Sequence, residues 1–416
     1  MPSLVAVLAF ALPAALWSQI PASETLSPAD AQAFQAEVRR IEGLLDTAGD
    51  KPTVIYALAR TYAAGHRYGE ALGALERAIA LHVGLDPSDD EVFAKLEGTS
   101  EFERLLRQVR EDTPPLPHSR VAFTIAEASL FPEGIAYSPR EKQFLLGSML
   151  KHKIVACSIA GVCQTLVSEG RDGLGQVLGL RISPGDGTLW ATSNSAEESG
   201  LFHYSVPSGK LIRKYTLDGK AAPHLFNDLA AGPGGDVFVT DTRAATVYWV
   251  SHAKDRLEVF NPALKVEAAN GIAIRPEAPA KLYVAGFPDG ITVVDVASGA
   301  FHAIPHPADL CLATIDGLYY FNGDLVAIQN GVMVPRVARY RLTADGSAIQ
   351  GFQVLERRHP LFDVPTTGAI ADGAFFFMAN TQLHKLTDGK ISPGARLEPI
   401  RILRLDLGSS TQHRGR

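Results

Sequence analysis

GIAYSPREKQFLLGSM (residues 134–149), GLRISPGDGTLWATSN (179–194) and DLAAGPGGDVFVTDTR (228–243) share one pattern: a short opening residue, a Pro or Gly bend, then a β-rich run. The pattern returns in GIAIRPEAPAKLYVAGF (271–287), GLYYFNGDLVAIQN (317–330) and TGAIADGAFFFMANT (367–381). Start-to-start spacings are 45, 49, 43, 46 and 50 residues. Hairpin sequences with Ser-Gly turns lie between them, as in GLFHYSVPSGKLIRKY (200–215) and GITVVDVASGAFHAI (290–304). Each unit therefore supplies about four short strands, and a period near 45 residues with four strands is the signature of a β-propeller. Six units predict a mainly β chain, a six-bladed propeller over 119–408, with 409–416 as a disordered tail.

Ahead of the repeats the character changes. Residues 24–118 carry a net charge of −7, whereas 119–416 carry +1. The break falls at the Pro-rich linker 113–118, TPPLPH, which does not continue a helix. Apolar residues between 24 and 112 recur at helical spacing, most clearly in IYALARTYAAGHRYGEALGALERAIAL (55–81). That stretch resembles a tetratricopeptide repeat, with Leu58, Ala59, Tyr62, Tyr68, Ala71, Leu75, Ala78 and Leu81 at the alternating large and small positions. Helices near 28–47, 89–97 and 100–110 are expected to pack on it, since one unit does not bury its own face. The segment reads either as a groove for a protein or peptide partner or as a helical cap on the next domain. In the second case the ligand is expected at the channel mouth opposite the cap.

The apolar run LVAVLAFALPAALW (4–17) has the length of a signal-peptide core and is short for a membrane span. Residues 1–22 are therefore expected to be a signal peptide, and the mature protein to be periplasmic or secreted and not membrane-spanning. With a net charge of −6 and pI near 6.1, nothing in the composition calls for a nucleic-acid partner. Cys157 and Cys163 flank a five-residue loop that could bring their sulfurs into bridging distance; a disulfide and two free thiols are both open readings. Cys311 is left over, and no Cys or Cys/His metal spacing is present.

The first strand of each propeller blade lines the central channel, so the residue before each repeated opening residue sits at its mouth. Those residues include Glu133 in Pro-Glu-Gly-Ile, Asn227 in Phe-Asn-Asp, Asn270 in Ala-Asn-Gly-Ile and Asp316 in Ile-Asp-Gly-Leu. Two carboxylates and two amide oxygens in one register suit a hard cation, Ca²⁺ first, with Zn²⁺, Mn²⁺ or Mg²⁺ as other divalent ions. Blade 2 offers Leu178 there and blade 6 the pair Thr366 and Thr367.

Taken in order, PEGI, FNDLAAGP, ANGIAI and IDGL resemble the six-bladed propeller superfamily of regucalcin and gluconolactonase, the senescence marker protein family. The likeness covers about 119–408. It implies one divalent metal held by Glu133, Asn227, Asn270 and Asp316, and hydrolysis of a small-molecule lactone or ester. Asp316 would then be both ligand and general base for water, and Asp228 a supporting carboxylate behind the ligands. The rival reading is a binding protein whose metal is structural and whose helices recruit a partner.

Overall fold

A computed structural model describes residues 28–219 and 222–408. The expected signal peptide and tail lie outside the described residues. Helices α1 (Pro28–Leu44), α2 (Lys51–Ala64), α3 (Tyr68–Ile79) and α4 (Ser100–Asp112) form the amino-terminal unit, with a 3-10 turn at Glu91–Leu96. Small residues let α2 and α3 pack closely: Ala57, Ala59, Ala63, Ala71, Ala74 and Ala78 are all buried. Among the described residues no helix is long and apolar enough to cross a membrane.

Six four-stranded antiparallel sheets follow. Five are built from consecutive strands, and their innermost strands are Pro132–Ser138, Leu180–Ile182, Phe226–Ala231, Ile272–Arg275 and Ile315–Phe321. The sixth combines Gly368–Ala371, Ala374–Met378 and Ile400–Asp406 with a strand from the other end of the propeller, Arg120–Ile125. Arg120 pairs with Arg404 and Ile125 with Ile400, so the ring is closed by backbone hydrogen bonds between its first and last strands. The repeat pattern gave no sign of this closure.

The repeated glycines have a packing cause. A Cβ on Gly134 would lie 2.5 Å from the carbonyl oxygen of Leu178, on Gly179 2.6 Å from that of Asn227, and on Gly271 2.7 Å from that of Asp316. Each glycine thus admits the mouth residue of the following blade. Bare backbone at this position in blades 1, 2, 4 and 5 lets their inner strands approach the next blade closely, whereas blades 3 and 6 carry Asp228 and Thr367 there.

The helical unit sits on blades 4 and 5. Its core merges with Phe287, Cys311, Ala313, Val332, Met333 and Val334 of the propeller. Backbone bonds join the two: the Asp86 amide donates to the Val332 carbonyl (2.8 Å) and the Val334 amide to that of Gly84 (2.9 Å). The Asp50 side chain accepts from the Leu312 amide at 2.8 Å, and Arg358 pairs with Asp86 at 2.9 Å. Leu116, inside the Pro-rich linker, is bridged to Arg357.

This placement corrects one expectation. The Asn270 amide bonds the Ala285 carbonyl and Ile315 pairs with Gln329, so the loops after these partners rise beside Asn270 and Asp316. The helices occupy those same loops. Cap and candidate mouth therefore share one face, because the apolar residues that seat the helices (Phe287 and 332–334) lie on that face.

Candidate metal centre at the channel mouth

Each of the four oxygen-bearing residues stands at or just before the start of an inner strand, as the register predicts. Glu133 and Asn227 are 2% exposed and Asp316 7%, while Asn270 is half-buried. Asn270 and Asp316 are in direct contact: the Asn270 Nδ2 donates to Asp316 Oδ1 at 3.0 Å. Asn330, directly after the second strand of the same blade, donates to Asp316 Oδ2 at 2.7 Å. Asn227 Nδ2 donates to Thr242 Oγ1 at 3.1 Å, which leaves the amide oxygen as its free end. Thr366 and Thr367 of blade 6 donate their hydroxyls to the Glu133 carbonyl instead of contributing to the ring.

Two oxygens of this group are buried without a hydrogen-bond partner, Glu133 Oε2 and Asn270 Oδ1. Buried polar atoms are nearly always satisfied, so two orphaned acceptors in one register fit an ion that would receive them. The donor chemistry, carboxylate and amide oxygen, is that of a hard cation. Among the described residues no three His, Cys, Asp or Glu side chains gather as a metal site. The candidate set has only two carboxylates, its other donors being amides.

The electrostatics follow from burial. Desolvation pushes the Glu133 carboxyl well above the usual range, and Asp316 and Asp228 push it further while Arg181 pulls it back. Asp316 is pushed up to about 6 by burial, against the hydrogen bonds from Asn330 and Asn270. Burial also raises the Asp228 carboxyl, opposed by Arg181. Arg181 Nη2 meets Asp228 Oδ2 at 2.8 Å, a charge-assisted contact that opposes this rise.

Arg181, Asn330 and Thr242 were not singled out by the sequence reading. For Arg181 a signal exists in the repeat itself: it stands two residues after Gly179, where blades 1, 3 and 4 place Ala136, Ala230 and Ala273. Its guanidinium reaches Asp228 of the neighbouring blade 3 and extends across the channel to lie 4.8 Å from the ring centroid of Tyr319 in blade 5. The Tyr319 hydroxyl accepts from the Gly368 amide of blade 6 at 2.7 Å. Beyond this crossing the channel opens into a cavity of about 230 Å³ walled by Ala230, Ala231, Ala273 and neighbouring strand residues.

Cys157 and Cys163 pair across the outer two strands of blade 1 and form a disulfide, S–S 2.05 Å. Cys311 is a free, buried thiol at the helical interface.

A regucalcin from Agrobacterium tumefaciens, described as a calcium-binding protein, superposes with a TM-score of 0.50 at 16% identity, covering 68% of this chain and 93% of its own. The chain shares its six-bladed β-propeller fold. The Malassezia sympodialis allergen Mala s 1 gives 0.52 at 17% identity over 69% of this chain and 96% of that one. A Xanthomonas campestris gluconolactonase gives 0.47 at 14% identity over 70% and 91%. No protein-family model and no curated protein matches the sequence.

Proposed function

We propose that the protein is an exported, calcium-dependent hydrolase of the lactone or ester type, with Glu133, Asn227, Asn270 and Asp316 holding the ion. The observation that carries this reading is the pair of orphaned buried oxygens, Glu133 Oε2 and Asn270 Oδ1, in the register of the mouth. The gluconolactonase and regucalcin likenesses in fold agree with it. A bound divalent cation would polarise the substrate carbonyl and stabilise the oxyanion that develops during attack. The chain's own part is to hold a base and to hold it still. Asp316 is fixed from both sides by Asn270 and Asn330, and a carboxyl pushed up to about 6 is suited to taking a proton from water near neutral pH. The other divalent ions remain alternatives to calcium by donor chemistry. Export is inferred from the apolar run 4–17 and agrees with the Cys157–Cys163 disulfide, since such pairs persist in oxidising compartments.

One observation favours a second reading, a binding protein with a structural ion: three of the four ligands are nearly inaccessible. The apolar face of the helices is occupied by propeller loops, so a peptide groove there has no comparable support. A panel of lactones and esters, run with Ca²⁺ on wild type and Asp316→Asn, separates the two. Turnover lost in the variant supports the hydrolase. A calcium-binding protein inert to the whole panel supports the structural ion.

A further inference from the structure

We infer that Arg181 is the counter-ion that sets the charge of the channel mouth to match a divalent cation. The inference rests on the metal reading above and concerns how the ring is balanced.

Blade 2 places Leu178 where blades 1, 3, 4 and 5 place an oxygen, and then introduces a cation three residues further along its inner strand. Arg181 binds Asp228 Oδ2 at 2.8 Å, and the Asp228 side chain is only 2% exposed. Asp228 stands where the other blades of this register carry glycine, directly after the ligand Asn227. Because Asp228 follows the ligand Asn227 directly, its ion pair with Arg181 lies beside the ring that Glu133 and Asp316 would supply with charge. Counted as formal charges, the buried carboxylates of Glu133, Asp228 and Asp316 and the largely buried guanidinium of Arg181 sum to −2. A dication makes that centre neutral. Without Arg181 the same walls would hold −3, and without Asp228 only −1. In a buried, weakly screened site each such step changes cation affinity.

Asp228 and Arg181 touch each other and are not among the four residues that would hold the ion, so they would act as positioning residues through charge. The test is calcium titration by calorimetry on the full chain in four forms: wild type, Asp228→Asn, Arg181→Gln and the double variant. Asp228→Asn leaves the guanidinium unbalanced and is expected to weaken Ca²⁺ binding by about tenfold or more, whereas Arg181→Gln strengthens it by about tenfold. The double variant returns to −2 and is expected within about threefold of wild type. A merely structural salt bridge would instead weaken binding in both single variants, since each leaves a buried charge unpaired, and would not give single variants of opposite sign. The inference is overturned if the double variant is as weak as Asp228→Asn, or if the single variants match wild type. Should Asp228→Asn fail to fold, an Arg181→Gln protein no tighter than wild type overturns it as well. A wild type without any calcium heat overturns the metal reading along with this one; a wild type that binds while the cycle stays flat overturns this one alone.

Discussion

Blades 1 and 2 hold equivalent seats at the channel mouth and fill them oppositely. Glu133 is 2% exposed with an oxygen left unsatisfied, while Leu178 is fully buried among Phe131, Met149, Leu225, Leu383 and Leu386. The backbone around both is the same: a glycine follows each, and the next blade's carbonyl closes over it. One side chain per blade therefore decides whether the seat contributes apolar burial to the fold or holds charge for a ligand. The excursion between Met378 and Ile400 of blade 6 supplies Leu383 and Leu386 to the apolar side of the mouth, while the helices seat on the loops of blades 4 and 5.

Substitutions at these seats break or sharpen the contrast. The largest effect belongs to the charged side. Asp316→Ala is expected to lower turnover of any accepted lactone by about 10²–10⁴-fold with circular dichroism unchanged. Activity within threefold of wild type would remove Asp316 from the chemistry. Next comes stability, where the two seats should respond with opposite signs. Leu178→Ala opens a cavity in a fully buried cluster and should cost about 2–5 kcal/mol in urea unfolding. Glu133→Gln, measured with a chelator present, removes an unpaired buried charge and should leave stability equal or higher. Equal losses at both seats would mean that the ring is ordinary packing.

A smaller effect tests whether blade 1 is special elsewhere. Replacing Cys157 and Cys163 by Ser opens a loop of sequence separation 6. It should cost about 2 kcal/mol, read by the same unfolding curves, without altering calcium binding. A calcium affinity that moved with the disulfide would couple the blade's outer edge to its mouth.

The smallest effect compares the mouth with the helical seam. Asp50 is fully buried there, and burial raises its carboxyl above the ordinary 3.8 despite the bonds from Thr53 and the Leu312 amide. A carboxyl raised in the folded state keeps its proton where the unfolded chain has lost it. Stability from this group is therefore full below 3.8 and falls as pH rises through the folded value. Asp50→Asn should flatten that fall in pH-dependent melting. An unchanged slope would show that Asp50 ionises as easily folded as unfolded.

The blades were readable because close approach favours glycine at a regular interval, and Glu133, Asn270 and Asp316 were readable because they precede those glycines, with Asn227 placed by the spacing alone. Closure was not readable: Arg120–Ile125 is a lone strand whose partner, Ile400–Asp406, lies at the far end of the propeller. The seat of the helices was also hidden, since Phe287 and Val332–Val334 look like any apolar ends of strands. Asn330 reaches Asp316 only through the pairing of two strands, which no local pattern encodes. Arg181 was legible in principle, as the one cation in a column otherwise filled by alanine and tyrosine among the blades that share the register. It becomes meaningful only once Asp228 is seen beside it.

The central claim, that four oxygens at the mouth take up a divalent cation, is tested most directly by thermal melting of the protein with Ca²⁺, with a chelator, and in the Glu133→Ala variant. Only an ion bound by the folded state raises the melt, and a hundredfold excess over Kd is worth about 2.7 kcal/mol. The account predicts a calcium-dependent rise in wild type that the chelator reverses and the variant lacks. No rise in wild type, or an equal rise in Glu133→Ala, would contradict it.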